Sequence, residues 1–559
     1  DIIFDMKWSR AHDDHKKAYL GTLLLHVYAH LFDEGYQPVK LKWSFPSSMD
    51  DTRVGTYSGL WSSLPEVNPL VGGEPLVVSA APVRSQGVES PANHFGMDPG
   101  QPSAQAGGWG AQPAQAAGWG ALGDGAAPSM KEVALRSGPM RFDFHPLDGD
   151  KALTEACAVA NYLANNQRLN LDSNYLTLCF DVGGSTTDIS ALVKMPSGVL
   201  TMVKQNSIRF AAQRVAHAAR YASSFKDVLL AVCERKQVSI QGLNVAPYRY
   251  SPQTAAYYFE QLVDRLEEKD MAPFYQLIRA KCPELMCVNL YVTGLIMYYA
   301  GQLASKLRTE VSNSLEGQML KTFNPHMAGD WKPMVNIVFA GKGARLFDWF
   351  RAVDEVASNK YYTDLFIKGF GGRQQAVDNL YPGGWGGLGQ EPPVRINPTS
   401  EGGSSDIKYE VSKGLAYSAE QLHVPRSADA IEILGEDGFV LMQGGQMKPV
   451  PYDASITPEM LEHIGSAFLS SPAPGQPPCP KFMDFAATYY DVARNFGLKM
   501  TEEDFRAGFM SMNINAYIKG HQDYRIAKEA KKFDFVTPII IMEGMKFLED
   551  DLLKGIQKK

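Results

Sequence analysis

Cysteine is scarce: the chain holds six among 559 residues, Cys157, Cys179, Cys233, Cys282, Cys287 and Cys479, mostly inside apolar segments. Their spacing fits neither a zinc knuckle nor a disulfide framework. Buried, reduced thiols and a cytoplasmic setting are the reading that remains. Long apolar runs are missing too. Leu23-Leu24-Leu25 and Ile539-Ile540-Ile541 are among the longest, far below the ~18 residues a membrane helix requires, so no membrane span is expected. Positive charge is not in excess: 54 Lys and Arg stand against 61 Asp and Glu, a formal net charge of −7. No basic surface for nucleic acid is implied. No secretory leader is visible.

Several catalytic signatures are absent as well. There is no Gly-x-Ser-x-Gly elbow. Gly341-Lys342 does not form a P-loop, because Gly343 stands where Ser or Thr is needed and Asn336 where the first Gly is needed. His26 and His30 lie four apart on a predicted helix, but Val27 follows the first His where a metalloprotease needs Glu. The run His12-Asp13-Asp14-His15 reads as helix capping and solvation.

What is present is a globular composition, 45% hydrophobic, over a length that allows one to four domains. Residues 1–65 read as helix (from Lys16 to Glu34), strand (Val39 to Pro46) and turn. Residues 66–140 are rich in Pro, Gly, Ala, Gln and Ser and repeat with period ten, Ala104 to Ala111 echoed by Ala114 to Ala121. Such a segment cannot bury enough apolar surface to offset chain entropy, so a disordered insert is expected, with Trp109 and Trp119 exposed in it. From 141 to 425 helix and strand mix, with a helix near Gly149–Gln167, a hairpin turn at Pro196-Ser197-Gly198 and a mainly helical stretch over 208–320. A glycine-rich loop covers 369–406. Residues 426–559 read as a small β element, a Pro-rich linker at Pro472–Pro480 and a helical tail starting at Lys481, which either completes the preceding fold or binds a partner.

The richest stretch is Asp181-Val182-Gly183-Gly184-Ser185-Thr186-Thr187-Asp188, between the strand-like runs Tyr175–Phe180 and Ile189–Val193. Two glycines let the backbone bend and bring N–H groups near an anion. Ser185, Thr186 and Thr187 add hydroxyls, and Asp181 and Asp188 can hold a metal–water complex or orient a water. A second segment, Val335 to Phe350, reads as buried strand, glycine turn (Gly341, Gly343) and helix start, an ordinary place for an anion.

The octapeptide resembles the second phosphate loop of the actin-like ATPase superfamily. The DnaK-type heat-shock chaperones are nearest, with Ser185 in place of a third glycine. Gly341, Gly343, Ala344 and Arg345 match the family's adenosine motif, whereas Lys342 replaces a glycine. Glu155-Ala156-Cys157-Ala158-Val159-Ala160 resembles the segment whose glutamate helps to position magnesium and water. Val411-Ser412-Lys413-Gly414-Leu415-Ala416 resembles a later helix of the same fold. The implied fold is α/β, a two-lobed, ribonuclease-H-like ATPase with a mostly helical C-terminal region. It lacks the N-terminal Asp-x-Gly-Thr loop, so either the chain is part of a longer protein or the loop has been lost. The implied function is ATP binding with Mg²⁺ and ATP hydrolysis coupled to lobe closure, in a chaperone-like protein with a protein partner or client. A catalytically weak nucleotide-binding scaffold and a filament former remain open. In that frame Asp181 and Glu155 are catalytic. Gly183, Gly184, Ser185 and Thr186 bind phosphate, and Gly341, Gly343, Ala344 and Arg345 bind the nucleoside. Asp181 and Asp188 hold Mg²⁺ through water.

Overall fold

Strands buried on both faces lose the alternation of a half-exposed sheet and read as continuous apolar runs. Leu176–Val182 and Thr187–Lys194 behave this way, with only Asp181 and Lys194 less than buried. They form the centre of a sheet in the computed structural model, which describes residues 13–33, 43–45, 51–62, 152–166, 171, 175–195, 197–234, 251–266, 268–311, 335–371, 394–397, 409–417, 422–424, 433–434, 439–452, 454–456, 468–469, 479–510, 517–518 and 537–557. The 66–140 insert, its tryptophans and most of the 369–406 loop lie outside these residues.

The chain divides into two compact units, residues 1–41 with 60–144, and 42–59 with 145–559. In the first unit the main described element is helix α1, Asp13–Asp33, three residues ahead of the expected start. Asp13 and Asp14 sit in its first turn, where the helix dipole favours negative charge, and Asp13 pairs with Lys16 at 2.9 Å. Tyr19, Leu23 and Val27 recur at four-residue spacing and are exposed, as are His26 and His30. Among the described residues no group of three His, Cys, Asp or Glu converges on a metal position.

The second unit begins with β1 (Trp43–Phe45), most of α2 (Asp51–Ser62, whose last three residues are counted with the first unit), β2 (Ala152–Thr154) and α3 (Glu155–Asn165), followed by β3 (Leu176–Val182), β4 (Thr187–Lys194) and β5 (Leu200–Ile208). Helices α4 (Gln213–Ala218), α5 (Phe225–Glu234), α6 (Pro252–Arg265), α7 (Glu268–Lys281) and α8 (Pro283–Val311) precede β6 (Val335–Ala340). A 3-10 turn, Lys342–Arg345, leads into α9 (Leu346–Val353) and α10 (Glu355–Gly369), then β7 (Val394–Ile396), α11 (Glu410–Ala416) and β8 (Leu422–His423). The main sheet runs β7-β6-β3-β4-β5-β8. β3, β4 and β5 form an antiparallel meander, β6 is parallel to β3, β7 to β6, and β8 to β5. The architecture is therefore α/β with a mixed sheet. Gly198, at φ +87°, closes the β4–β5 hairpin at the expected turn.

Helices cover both faces of this sheet. Leu178, Phe180, Ile189 and Ala191 point into a core shared with α8, α9 and α10. Cys179, Leu192, Met202, Val338 and Ala340 point the other way, onto Cys157, Val159, Ala160 and Leu163 of α3. α11 crosses α3 closely: Asn161 Nδ2 donates to Gly414 O at 2.7 Å, and a Cβ on Gly414 would collide with the α3 backbone.

α8 differs from an ordinary surface helix because every residue from Leu285 to Leu307 is buried. Some of its polar groups are paired locally: Asn289 donates to Leu346 O at 2.9 Å, and the Thr293 hydroxyl donates back to Asn289 O at 2.7 Å, whereas Asn289 Oδ1 and both polar side-chain atoms of Gln302 are buried with no hydrogen-bond partner among the described residues. Gly294 and Gly301 of α8 meet α10, and Gly369 of α10 meets the Tyr298 backbone, so the two axes approach closely. No described helix is long and apolar enough to cross a membrane.

The C-terminal residues pack into the same unit. β9 (Ile433–Leu434) pairs with β12 (Ser455–Ile456). β10 (Phe439–Gln443) and β11 (Gln446–Val450) form a hairpin that β13 (Phe468–Leu469) extends. That hairpin turns at Gly444 and Gly445, both with positive φ, as a two-residue turn with matching twist demands. α12 (Pro480–Ala493), α13 (Glu502–Met510), α14 (Ile539–Phe547) and α15 (Leu553–Gln557) complete the chain. Phe482, Phe485, Ala486 and Tyr489 of α12 are fully buried, and Tyr489 meets Tyr291 of α8 edge-on at 5.1 Å.

This core buries thiols and phenols. Burial, helped by Glu284, pushes the Cys282 thiol to about 12. Burial likewise raises Tyr275, Tyr291, Tyr361, Tyr362 and Tyr489. The unfolded chain releases these protons near the ordinary values of about 8.5 for thiols and about 10 for phenols. Above that range it binds fewer protons than the folded chain, so stability falls as pH rises. Urea unfolding should show a lower midpoint at about pH 10.5 than at about pH 8; equal midpoints would contradict this burial.

Candidate functional site

The order of strands picks out one place for a ligand. From β3 the chain continues to β4 on one side, and from β6 it leads to β7 on the other. The crevice outside the carboxyl ends of two such parallel strands is where open α/β sheets bind ligands. β3 and β6 run in register from Leu176↔Val335 to Asp181↔Ala340. Both glycine turns read from the sequence therefore emerge side by side, although 160 residues separate Asp181 from Gly341.

The turns touch through backbone. A Cβ on Gly343 would lie 2.6 Å from Gly183 O and 2.7 Å from Val182 O. Gly341, at φ +73°, lies against Asp181 and Val182. A side chain at either position would force the turns apart. Ala344 is buried as well, so it can reach a ligand only through its backbone.

The Gly183–Thr186 turn is a tight hairpin end, closed by Gly183 N–H to Thr186 O at 2.8 Å. Positive φ, found at six described glycines, does not occur at Gly183 or Gly184. Here the glycines give room for close approach instead of an unusual fold of the backbone. On one side the turn is fastened to the start of α4: Gln213 N–H donates to Gly184 O at 2.7 Å, and Ala212 N–H to Gly183 O at 3.4 Å. In a trans peptide the C=O and N–H point in opposite directions. With the carbonyls of Gly183 and Gly184 tied to α4, the N–H groups of Gly184 and Ser185 face away from it. Two successive amides aimed the same way form an anion cradle. Gly184 is exposed and Ser185 half-buried, while Thr186 is buried.

The carboxylates lie on the α3 face. Asp181 and Asp188 are opposite one another across β3 and β4, a pairing that puts Cβ atoms about 4.5–5.5 Å apart. Like charges so placed repel, and a cation between them would relieve this. Ser207 pairs with Asp188 on the far side and buries a hydroxyl that bonds nothing among the described residues.

Glu155 starts α3, after an N-cap in which the Thr154 hydroxyl accepts from Cys157 N at 3.0 Å. Thr154 in turn bonds Gln205 of β5 at 2.7 Å. That anchors the start of α3 over β5, two strands from Asp181, or about 10 Å at ordinary strand spacing. Glu410 is a carboxylate the motif reading missed. It is buried at the start of α11, and burial together with the charges of Asp181 and Glu410 raises the Cys179 thiol well above its usual range. Its signal was faint, since the α11 resemblance begins one residue later, at Val411.

Arg345 ends the turn that follows β6. It is 9% exposed, its Nε is buried without a hydrogen-bond partner, and no ion pair holds it among the described residues. A buried cation ordinarily has an anion beside it. Lys342, one turn earlier, is half-buried.

No family model matches the chain, and no curated protein matches it.

Replacing Gly343 with alanine should destabilise the fold by about 1–3 kcal/mol through overpacking, because the atoms it meets are backbone. Gly184→Ala should be far milder, since open space surrounds that position. Thermal denaturation of the two variants tests the contact between turns; equal loss in both would refute it.

Proposed function

We propose that this chain binds ATP or ADP with Mg²⁺ at the carboxyl ends of β3 and β6, and that it is a chaperone-like ATPase of the actin-like superfamily. The observation that carries the reading is the convergence of the two glycine turns at the point where the sheet's connections diverge. The sheet supports it too: an antiparallel triplet extended by two parallel strands suits a ribonuclease-H-like lobe.

In this reading the amides of Gly184 and Ser185 receive the terminal phosphates, with the Ser185 hydroxyl beside them. Arg345 supplies the positive charge for the phosphate nearest the nucleoside, which gives its buried guanidinium an anion. The residues fit a hydrated Mg²⁺ better than a directly ligated one. Among the described residues no three ligating side chains converge, and Mg²⁺ usually keeps several waters while one or two carboxylates hold it. Asp181 and Asp188 would hold such waters, and bound Mg²⁺ would neutralise charge developing on the phosphates. Asp181 orients the attacking water, with Glu410 as the nearer second carboxylate and Glu155 farther along the sheet. Catalysis of this kind is positioning and electrostatics. Closure of one lobe on another, and a client or partner that senses it, belong to the same proposal.

A catalytically weak nucleotide-binding scaffold is the second reading. Lys342 favours it, since a long side chain stands where the family keeps a glycine.

Calorimetric titration with ATP and ADP, with and without Mg²⁺, tests the proposal. Mg²⁺-dependent binding is expected in the wild type, weakened in Arg345→Ala and stripped of its Mg²⁺ dependence in Asp181→Ala. If the wild type turns over ATP, Asp181→Ala should lose about 10²–10³ in rate. No binding at millimolar nucleotide, or binding indifferent to both substitutions, would overturn the assignment. Binding without turnover would select the scaffold.

A further inference from the structure

The cradle's amides are aimed by what holds its carbonyls, and that holder is itself held from the C-terminus. Gln213 N–H fixes Gly184 O at 2.7 Å. The next residue, Arg214, reaches α14 and the turn after it: Nη1 lies 3.3 Å from Glu549 Oε1, and Nη2 lies 2.9 Å from Met545 Sδ. Glu549 belongs to a π-helical turn, Leu548–Leu552, between α14 and α15. Such widened turns cost helical hydrogen bonding and are frequent at functional sites. α14 is no loose appendage. Tyr291 of α8 donates to Gly544 O at 2.8 Å, and Leu295 packs onto Gly544. Lys546 and Lys554 both pair with Asp550 and brace the π turn from either side.

We infer that Arg214 and Glu549 are positioning residues for the anion cradle, through which the C-terminal helix senses whether the cradle is filled. The reasoning follows one peptide unit. An anion at the Ser185 N–H polarises the Gly184–Ser185 peptide and strengthens the bond its carbonyl accepts from Gln213. That fixes the first turn of α4 and, with it, the backbone of Arg214. The Arg214–Glu549 pair then carries the restraint to the π turn. This inference rests on the anion-binding reading of the turn, but the mechanical link exists without ligand and is tested separately.

Hydrogen exchange on the full chain, read by mass spectrometry, provides both tests. Without ligand, Glu549→Gln and Arg214→Ala should each speed exchange at residues 183–187 by about two- to five-fold, the range an exposed ion pair supports. Peptides from the middle of α8 should be unchanged. The charge swap Arg214→Glu with Glu549→Arg should restore slow exchange, which a merely structural loss would not do. Unchanged exchange at 183–187, or no rescue by the swap, overturns the link. With saturating Mg²⁺-ATP, residues 539–557 should gain protection in the wild type and not in Glu549→Gln. Protection at 183–187 without any at 539–557 overturns the inference and leaves nucleotide binding standing. If nucleotide does not bind, the function proposed above fails, and the ligand-free arm still decides the link.

Discussion

The parallel pairing of β3 with β6 is the constraint on which the site depends. It sets Asp181 beside Ala340, so each turn that follows starts at the same height on the same edge. The glycines are a consequence. Two backbones leaving adjacent strands and bending toward one another leave no volume for a Cβ at Gly341 or Gly343. The helices between β5 and β6 follow as well, since a parallel strand can be reached only by a long crossover. Here the crossover includes the buried α8, and helices packed against both sheet faces bury the central strands, Asp181 and Lys194 excepted.

Charge is sorted around that edge. Hydrogen-bond donors gather at the turn: the amides of Gly184 and Ser185, then Arg345. Carboxylates gather on the α3 face: Asp181, Asp188 and Glu410. This sorting of charge is what supports the nucleotide reading proposed above.

Much of this was readable from the chain because backbone geometry and burial leave marks in residue type. The β3–turn–β4 unit, the glycine turn after β6, the Gly198 hairpin and the helical tail from Lys481 all stand where the sequence places them. What the sequence leaves unsaid has physical causes. The sequence marks Gly183 and Gly184 as points where the backbone bends; neither has a positive φ, and Gly183 lies against Thr186 whereas open space surrounds Gly184. Asn289, Thr293 and Gln302 interrupt the apolar pattern of α8, and all three are buried. Glu410 gains its place because α11 packs across α3, a long-range packing event with no local signature. Resemblance alone singles out Glu155, and the bond from Thr154 to Gln205 holds the start of its helix against β5.

The glycine contacts between α8 and α10 bear on how the unit can move. Gly294 and Gly301 sit under Tyr361, Leu365 and Phe366, and Gly369 sits under Tyr298. Each helix thus carries notches that the other fills. Sliding by one residue would drive side chains into backbone on both sides at once. The pair has a single register, like a key cut on both edges, and shear between these layers is closed to the molecule. Any large displacement must carry sheet, α8 and α10 as one body and find its pivot in the connections at their margins.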